Sequence, residues 1–301
     1  MLQVALRERR FANDFRPRGT LALAIRFCSA LILAVIVNAC RHPVPKQPQP
    51  QVTIEPFNFQ ISSGQDHYQI EAYFARTVEA GRMGGLLVLN GDGGDAHQCI
   101  IHVLKFAQLP MRLACLSLPG YGKSSGPSRF VGPQSVEAAR RGLDLLAARP
   151  DVDPSHLAVW GIADGAVAAG LLMDSDKRAR AVILQSGAYD LLQLWPAAPI
   201  GTKLSILRQV WPSKRVLQER SVIENMPEKL NCNVLILHGE QDRKTPVKQA
   251  RQLARALRQH GAHVETRYFA DGAHRLGKVI EQPLKDFLRE NLMVAAADQE
   301  S

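Results

Sequence analysis

The chain has 301 residues, of which 46% are hydrophobic and 22% charged, a balance that excludes a wholly disordered protein and is typical of a globular one. Its formal charge of +9 is unevenly spread, because six arginines stand against two acidic residues in the first 40 positions. The remainder has no basic run interleaved with aromatic residues, so we expect no nucleic-acid groove.

Residues 1–40 have the pattern of an export signal. An arginine-rich stretch precedes an apolar segment at 21–39, and Cys40 follows directly. The charge-free part, residues 27–39, is shorter than the ~20 residues that a helix needs to cross a bilayer. Residues 37–40 resemble the lipobox of bacterial lipoproteins. The resemblance implies a mature chain that begins at an acylated Cys40, anchored to a membrane of the cell envelope and facing the periplasm; an uncleaved N-terminal anchor is the alternative.

A proline-rich linker is predicted over residues 41–51. The segment holds four prolines and few apolar side chains, which favours an extended, semi-rigid spacer. Such a spacer would hold a folded domain off a membrane surface.

From residue 52 to about 295 the pattern predicts one folded domain, followed by a tail at 296–301. Two alternating segments, 52–62 and 67–76, flank turn-forming residues and predict an antiparallel hairpin. Apolar runs then alternate with helical stretches, which indicates an α/β fold with a mostly parallel sheet of about eight strands and helices on both faces. The predicted strands are residues 85–89, 113–118, 157–160, 181–185, 234–237 and 264–269, and the predicted helices are residues 97–108, 134–148, 165–173, 247–260 and 276–291.

The alternation is interrupted between about residues 188 and 230. Short segments containing Leu, Trp and Pro follow one another there, which predicts a small helical insertion after the strand at 181–185. Ligands of open α/β sheets bind at the carboxyl ends of the strands, where such an insertion would lie. Trp195, Leu204 and Trp211 are therefore candidates for ligand contact, and packing between the short helices is the alternative.

The segment 156–173 carries the most informative motif. The apolar run at 157–160 predicts a strand, Gly161 and Gly165 flank a tight turn, and the following residues predict a helix. This pattern resembles the Gly-x-Ser-x-Gly nucleophile elbow of the α/β-hydrolase superfamily. Ala163 occupies the position of the nucleophilic serine.

Two further residues match the family's catalytic machinery. Asp242 follows the strand at 234–237 through a glycine turn, and His274 follows the strand at 264–269 in the same way. The resemblance implies that Asp242 is the acid and His274 the base of a catalytic triad, in the superfamily's order of nucleophile, acid and histidine.

The glycine-rich segment 89–94 resembles the family's oxyanion loop. By that resemblance the backbone N–H groups of Asp92 and Asp164 would form the oxyanion hole. The turn at 117–124 is similar to a structural turn of the family. The resemblance then covers nearly all of residues 52–292 and is closest to bacterial serine esterases and peptidases and to dienelactone hydrolases.

Cysteine usage predicts neither a disulfide framework nor a metal site. Cys28 and Cys40 lie in the leader, which leaves Cys99, Cys115 and Cys232, an odd number without metal-ligand spacing. Cys115 and Cys232 adjoin apolar strands and are expected to be buried thiols. We expect no metal and no cofactor.

Two functions remain open from the sequence. In the first, the protein binds a small ester, amide or peptide-like ligand but is catalytically impaired, because Ala163 cannot attack a carbonyl. In the second it is an active hydrolase that uses Asp164 as nucleophile, or water activated by His274. Ser186 is a weaker candidate nucleophile, and a pure interaction module with an empty pocket ranks third. The first is favoured, since losing the nucleophile of a triad costs about six orders of magnitude in rate.

Overall fold

The structure, a computed structural model, describes residues 52–77, 81–91, 93–106 and 109–293. The predicted signal peptide with Cys40, the linker, Asp92 and the tail lie outside the described residues. Within the described ranges, no helix is long and apolar enough to cross a membrane. Export, lipidation and the domain boundaries therefore remain predictions.

The centre of the domain is an eight-stranded sheet. The strands of the described chain are β1 Val52–Pro56, β2 Phe59–Ser63, β3 Asp66–Ile70, β4 Ala72–Thr77, β5 Met83–Asn90, β6 Met111–Ser117, β7 Val152–Ile162, β8 Ala179–Gln185, β9 Asn233–Gly239 and β10 His263–Phe269. The sheet order is β1-β4-β6-β5-β7-β8-β9-β10, and β5 to β10 are all parallel. This confirms the predicted mostly parallel sheet.

The predicted hairpin forms, but each of its arms is divided. β2 and β3 pair in a separate two-stranded sheet, whereas β1 and β4 pair antiparallel at the edge of the large sheet. At the break, the Glu71 N–H donates to Ser124 Oγ at 2.9 Å and the Glu71 carbonyl accepts from the Ser117 N–H at 2.9 Å. The break is therefore set by contacts with distant segments, which a local alternation pattern does not contain.

Helices cover both faces of the sheet. They are α1 Ala96–Val103, α2 Pro133–Ala147, α3 Asp164–Ser175, α4 Leu191–Ala197, α5 Ile200–Leu207, α6 Lys214–Glu219, α7 Lys248–Gln259 and α8 Glu281–Leu292. Side chains alternate along β5: Leu87 and Leu89 face α2, α3 and α7, and Leu86 and Val88 face α1 and α8. Burial on both sides explains why the central strands are continuously apolar.

The predicted helical insertion lies between β8 and β9 and contains α4, α5 and α6. Asp190 caps α4 by accepting the Gln193 N–H at 2.9 Å, and Ser213 caps α6 in the same manner. The three helices share a small core of their own, which includes Leu194, Ile206 and Leu217.

The cysteine expectation is wrong for one pair. Cys99 of α1 and Cys115 of β6 form a disulfide, with their Cα atoms 6.1 Å apart. The count of three suggested no pairing, but the packing of α1 against β6 brings two of the three together. Cys232 is a free, partly buried thiol, and burial raises its pKa to about 11.

Candidate active site

The elbow between β7 and α3 holds Ala163 in a backbone conformation that L-residues rarely adopt. Its φ is 51° and its ψ is −114°, directly before the first turn of α3. A Cβ added at Gly165 would lie 1.9 Å from the Leu89 carbonyl oxygen, so only glycine allows α3 to start this close to β5. The tight turn is thus centred on Ala163, whose methyl group points into a cavity at the carboxyl ends of the strands.

Asp242 and His274 are hydrogen-bonded at that edge of the sheet. His274 Nδ1 lies 2.8 Å from Asp242 Oδ2. Because a carboxylate only accepts, Nδ1 carries the proton and Nε2 of a neutral imidazole is an acceptor. Nε2 is buried and has no hydrogen-bond partner. In a serine hydrolase this atom receives the proton of the nucleophile.

Several donors hold the Asp242 carboxylate in its charged form. Its Oδ1 accepts the N–H groups of Lys244 and Thr245 at 2.8 and 2.9 Å, and the Thr245 hydroxyl lies 2.8 Å from Oδ2. Burial alone would raise the pKa of Asp242. Hydrogen bonds from His238, His274 and the Thr245 N–H, together with the electrostatic attraction of His274, outweigh burial and hold that pKa far below its usual range.

His238 stiffens the same arrangement from within the core. Its ring is fully buried, and Nε2 lies 2.7 Å from the Thr245 carbonyl oxygen and 3.4 Å from Asp242 Oδ2. His238 therefore fixes the loop that donates to Asp242 and adds a longer contact to the carboxylate itself.

One cavity of about 260 Å³ joins these residues. Ala163, Ser186 and His274 all line it, as do side chains from the insertion. Ser186 has φ 53°, is almost fully buried, and its Oγ has no hydrogen-bond partner. Two residues that line the cavity, Ser186 and His274, thus each carry a buried polar atom without a hydrogen-bond partner, Oγ and Nε2. The full lining is Gly93, Tyr121, Phe130, Ala163, Asp164, Ser186, Ala188, Leu194, Thr202, Ser205, Gln209, Lys244, Thr245 and His274.

The predicted oxyanion donors are only partly described. Asp92 lies outside the described residues, so its N–H stays a prediction. Its neighbour Gly91 packs against the elbow, since an added Cβ would lie 2.6 Å from the Asp164 nitrogen. The Asp164 side chain also lines the cavity, and its Oδ2 accepts a hydrogen bond from the Tyr121 hydroxyl at 2.7 Å.

The insertion contributes different residues from those proposed. Leu204 and Trp211 are 45% and 78% exposed and do not line the cavity, and Trp195 packs against the core of the insertion. The contacts come instead from Leu194, Thr202, Ser205 and Gln209. The sequence offered large apolar side chains as candidates, with packing as the alternative, whereas α5 presents Thr202 and Ser205 to the cavity.

Three other residues of the site were missed or undervalued. The sequence motifs give Thr245 no role and place Tyr121 in a structural turn, whereas His238, close to the predicted acid, is expected to be a turn residue that supports the site from outside it. All three lie in or shortly after a strand, but the contacts of Tyr121 with Asp164 and of Thr245 with His274 join segments that are far apart in the chain.

No group of three or more potential metal ligands occurs in the described ranges. The absence of metal and cofactor remains a prediction.

Known proteins resemble this chain in sequence and in fold. A model of the prolyl oligopeptidase family matches residues 131–291. An uncharacterized peptidase, YuxL of Bacillus subtilis, is 27% identical over 157 residues, which are 50% of this chain but only 23% of that protein. The alpha/beta hydrolase domain-containing protein WAV2 of Arabidopsis thaliana is 26% identical over 238 residues, 75% of this chain and 74% of that one.

Two solved structures show the likeness in fold. An acetyl xylan esterase from a Paenibacillus species has a TM-score of 0.67 at 17% identity, covering 92% of this chain and 98% of that one. A puromycin-hydrolyzing peptidase of Mycobacterium tuberculosis has a TM-score of 0.66 at 18% identity, and the match covers 78% of this chain but only 39% of that one. The fold is that of α/β-hydrolase esterases and peptidases. Because the family model spans the elbow, Asp242 and His274 and matches more than half of the chain, the protein belongs to the prolyl oligopeptidase family.

Proposed function

We propose that this domain binds a small ester, amide or peptide-like ligand in the cavity at Ala163 without hydrolysing it. The observation that carries the proposal is the place of Ala163, at the strained elbow and in the same cavity as His274. A methyl group cannot attack a carbonyl carbon. The covalent step would thus be lost while the pocket is kept.

The cavity suits a small ligand with both apolar and polar parts. Its volume is about 260 Å³, and its lining combines Phe130 and Leu194 with Gln209, Ser186 and His274. The similar folds include an acetyl xylan esterase and a puromycin-hydrolyzing peptidase, which supports an ester or amide ligand.

An active hydrolase is the alternative. Water activated by His274 is the version that an observation favours, because His274 Nε2 is buried without a partner. Asp164 is a poorer nucleophile candidate: the elbow is centred on Ala163, and the Asp164 carboxylate is engaged by Tyr121.

We expect the wild-type protein to show no His274-dependent hydrolysis. Wild type and His274→Ala should cleave a panel of acyl esters and aminoacyl amides at the same background rate, because the imidazole has no nucleophile to activate. Initial rates by chromophore release measure this. His102→Ala, which removes an exposed histidine on α1, is the matched control. A rate that falls at least tenfold in His274→Ala but not in His102→Ala would establish turnover and overturn the proposal.

We propose further that the protein is an envelope lipoprotein facing the periplasm. The motif at residues 37–40 and the short apolar segment before it support this. The Cys99–Cys115 disulfide adds independent support, since structural disulfides are typical of oxidising compartments such as the bacterial periplasm.

We expect Cys40→Ser, expressed in a Gram-negative host, to accumulate as an unprocessed and unlabelled precursor. The cysteine sulfur is the atom that would carry the lipid, and serine lacks it. Metabolic labelling with a radioactive fatty acid, followed by immunoprecipitation, measures the effect. Cys28→Ser, in the same leader, should be labelled as wild type is. A wild-type chain without label would contradict lipidation.

A further inference from the structure

Helix α5 exposes its apolar side to solvent, whereas an amphipathic helix of a soluble domain normally buries that side. Ile200, Leu204 and Leu207 recur at helical spacing on one stripe, and they are 74%, 45% and 42% exposed. Trp211, just beyond the helix, is 78% exposed. We call Ile200, Leu204, Leu207 and Trp211 the outer face.

The polar side of the same helix is turned inward. Thr202 and Ser205 line the ligand cavity, and on an ideal helix they lie roughly opposite the apolar stripe. A surface helix of a soluble domain normally buries its apolar stripe and exposes its polar one. Ile206, buried among Leu194 and Leu217, holds α5 in this orientation. The exposure of the outer face is therefore built into the packing of the insertion.

The segment that carries the outer face is basic. Residues 191–218 contain Lys203, Arg208, Lys214 and Arg215 and no aspartate or glutamate. Arg208 and Lys214 are exposed, whereas Arg215 pairs with Glu219 at 2.9 Å. On an ideal helix Lys203 and Arg208 flank the apolar stripe on its two sides, and the Lys203 ammonium donates to the Pro196 carbonyl at 3.0 Å. A contiguous apolar stripe with a basic border and an exposed tryptophan is the composition of segments that lie in the interface of an anionic membrane.

We propose that the outer face docks onto the anionic surface of a lipid bilayer. A protein partner would need acidic groups around an apolar groove, whereas a bilayer with anionic lipids supplies negative charge and apolar depth together. The docking requires neither catalysis nor acylation of Cys40. Because α5 also forms a wall of the cavity, the docked helix lies between the bilayer and the ligand site.

The test uses the full-length chain reconstituted on vesicles of phosphatidylcholine and phosphatidylglycerol with brominated acyl chains. The emission of Trp211 is obtained by subtracting the emission of Trp211→Phe from that of wild type. This difference contains no signal from Trp160 or Trp195. Bromine quenches only on contact, and an interfacial helix lies ~5–10 Å into the headgroup and acyl boundary. Trp211 should therefore lose more than half of its emission. Ile200→Asp, with an unchanged melting temperature, should restore most of it, and replacing phosphatidylglycerol by phosphatidylcholine should weaken the quenching.

The matched control places a tryptophan elsewhere on the same tethered chain. Ile101 is 51% exposed on α1, a helix of the same length as α5. The tryptophan introduced by Ile101→Trp in the Trp211→Phe background should remain unquenched. The proposal is overturned if Trp211 is not quenched, or if the introduced tryptophan is quenched equally, because tethering alone would then explain the contact. A blue shift of Trp211 that grows with protein concentration without vesicles would assign the face to a second copy of the chain instead.

Discussion

We expect the single substitution Ala163→Ser to convert this protein into a target of serine-directed phosphonate probes, whereas the wild-type chain stays unlabelled. Losing the nucleophile of a triad costs about six orders of magnitude in kcat, so restoring it should raise ester hydrolysis by several orders of magnitude. Intact-mass spectrometry after incubation with the probe measures stoichiometric labelling.

The geometry supports this expectation step by step. The elbow already has the strained backbone that presents a side chain to the cavity, with φ 51° at Ala163. His274 Nε2 is buried in that cavity and lacks a partner, and Asp242 holds the ring with Nδ1 protonated. A serine hydroxyl would supply the missing donor to Nε2. The packing of Gly91 against the Asp164 nitrogen keeps the loop beside the elbow.

The controls separate two kinds of failure. Adding His274→Ala to Ala163→Ser should abolish labelling. Stoichiometric labelling of wild type would mean that another nucleophile exists, and Ser186→Ala would test whether it is Ser186. A folded but unreactive Ala163→Ser would point to a defective oxyanion site. Asp164→Met in that background would then remove one carboxylate that opposes an oxyanion.

The second large effect concerns stability. We expect Asp242→Ala to lower the free energy of unfolding at pH 7 by about 3–5 kcal/mol, because a buried charged acceptor is removed and its donors are left unpaired. Those donors are the N–H groups of Lys244 and Thr245 and Nδ1 of His274. Urea unfolding followed by circular dichroism measures the change. Asp286→Ala, which removes a half-exposed carboxylate on α8, should cost about 0.5 kcal/mol or less.

The contribution of Asp242 should depend on pH in a defined direction. Its pKa in the folded protein is depressed below the value of about 3.9 for an unfolded chain. Stability from this group is therefore fully present above about pH 4 and is lost as the pH falls toward the folded pKa. The difference between wild type and Asp242→Asn should shrink below about pH 4. A difference that stays constant from pH 7 to pH 3 would contradict the depressed pKa.

Much of the fold was predictable because its determinants are local. The predicted runs in β5 to β9 were recognisable as apolar because these strands are buried on both faces, although the run at 113–118 extends one residue beyond β6. The run at 264–269 lies in β10, an edge strand whose side chains are exposed or partly buried. The chain order of Ala163, Asp242 and His274, each after a strand end, also pointed to one edge of the sheet. The division of the hairpin was not predictable, because Glu71 is held there by Ser117 and Ser124.

The sequence by itself determined the α/β architecture and the chemical identity of the elbow, since an alanine at position 163 lacks a nucleophilic atom in any fold. Tertiary structure decided what local pattern does not encode: the Cys99–Cys115 disulfide, the support of Asp242 by Thr245 and His238, and the orientation of α5. The spacing of Ile200, Leu204 and Leu207 reveals an apolar stripe but not the direction in which it points. That direction depends on which side chains of α5 the rest of the insertion has room to bury, and here it buries Ile206 and leaves the stripe exposed.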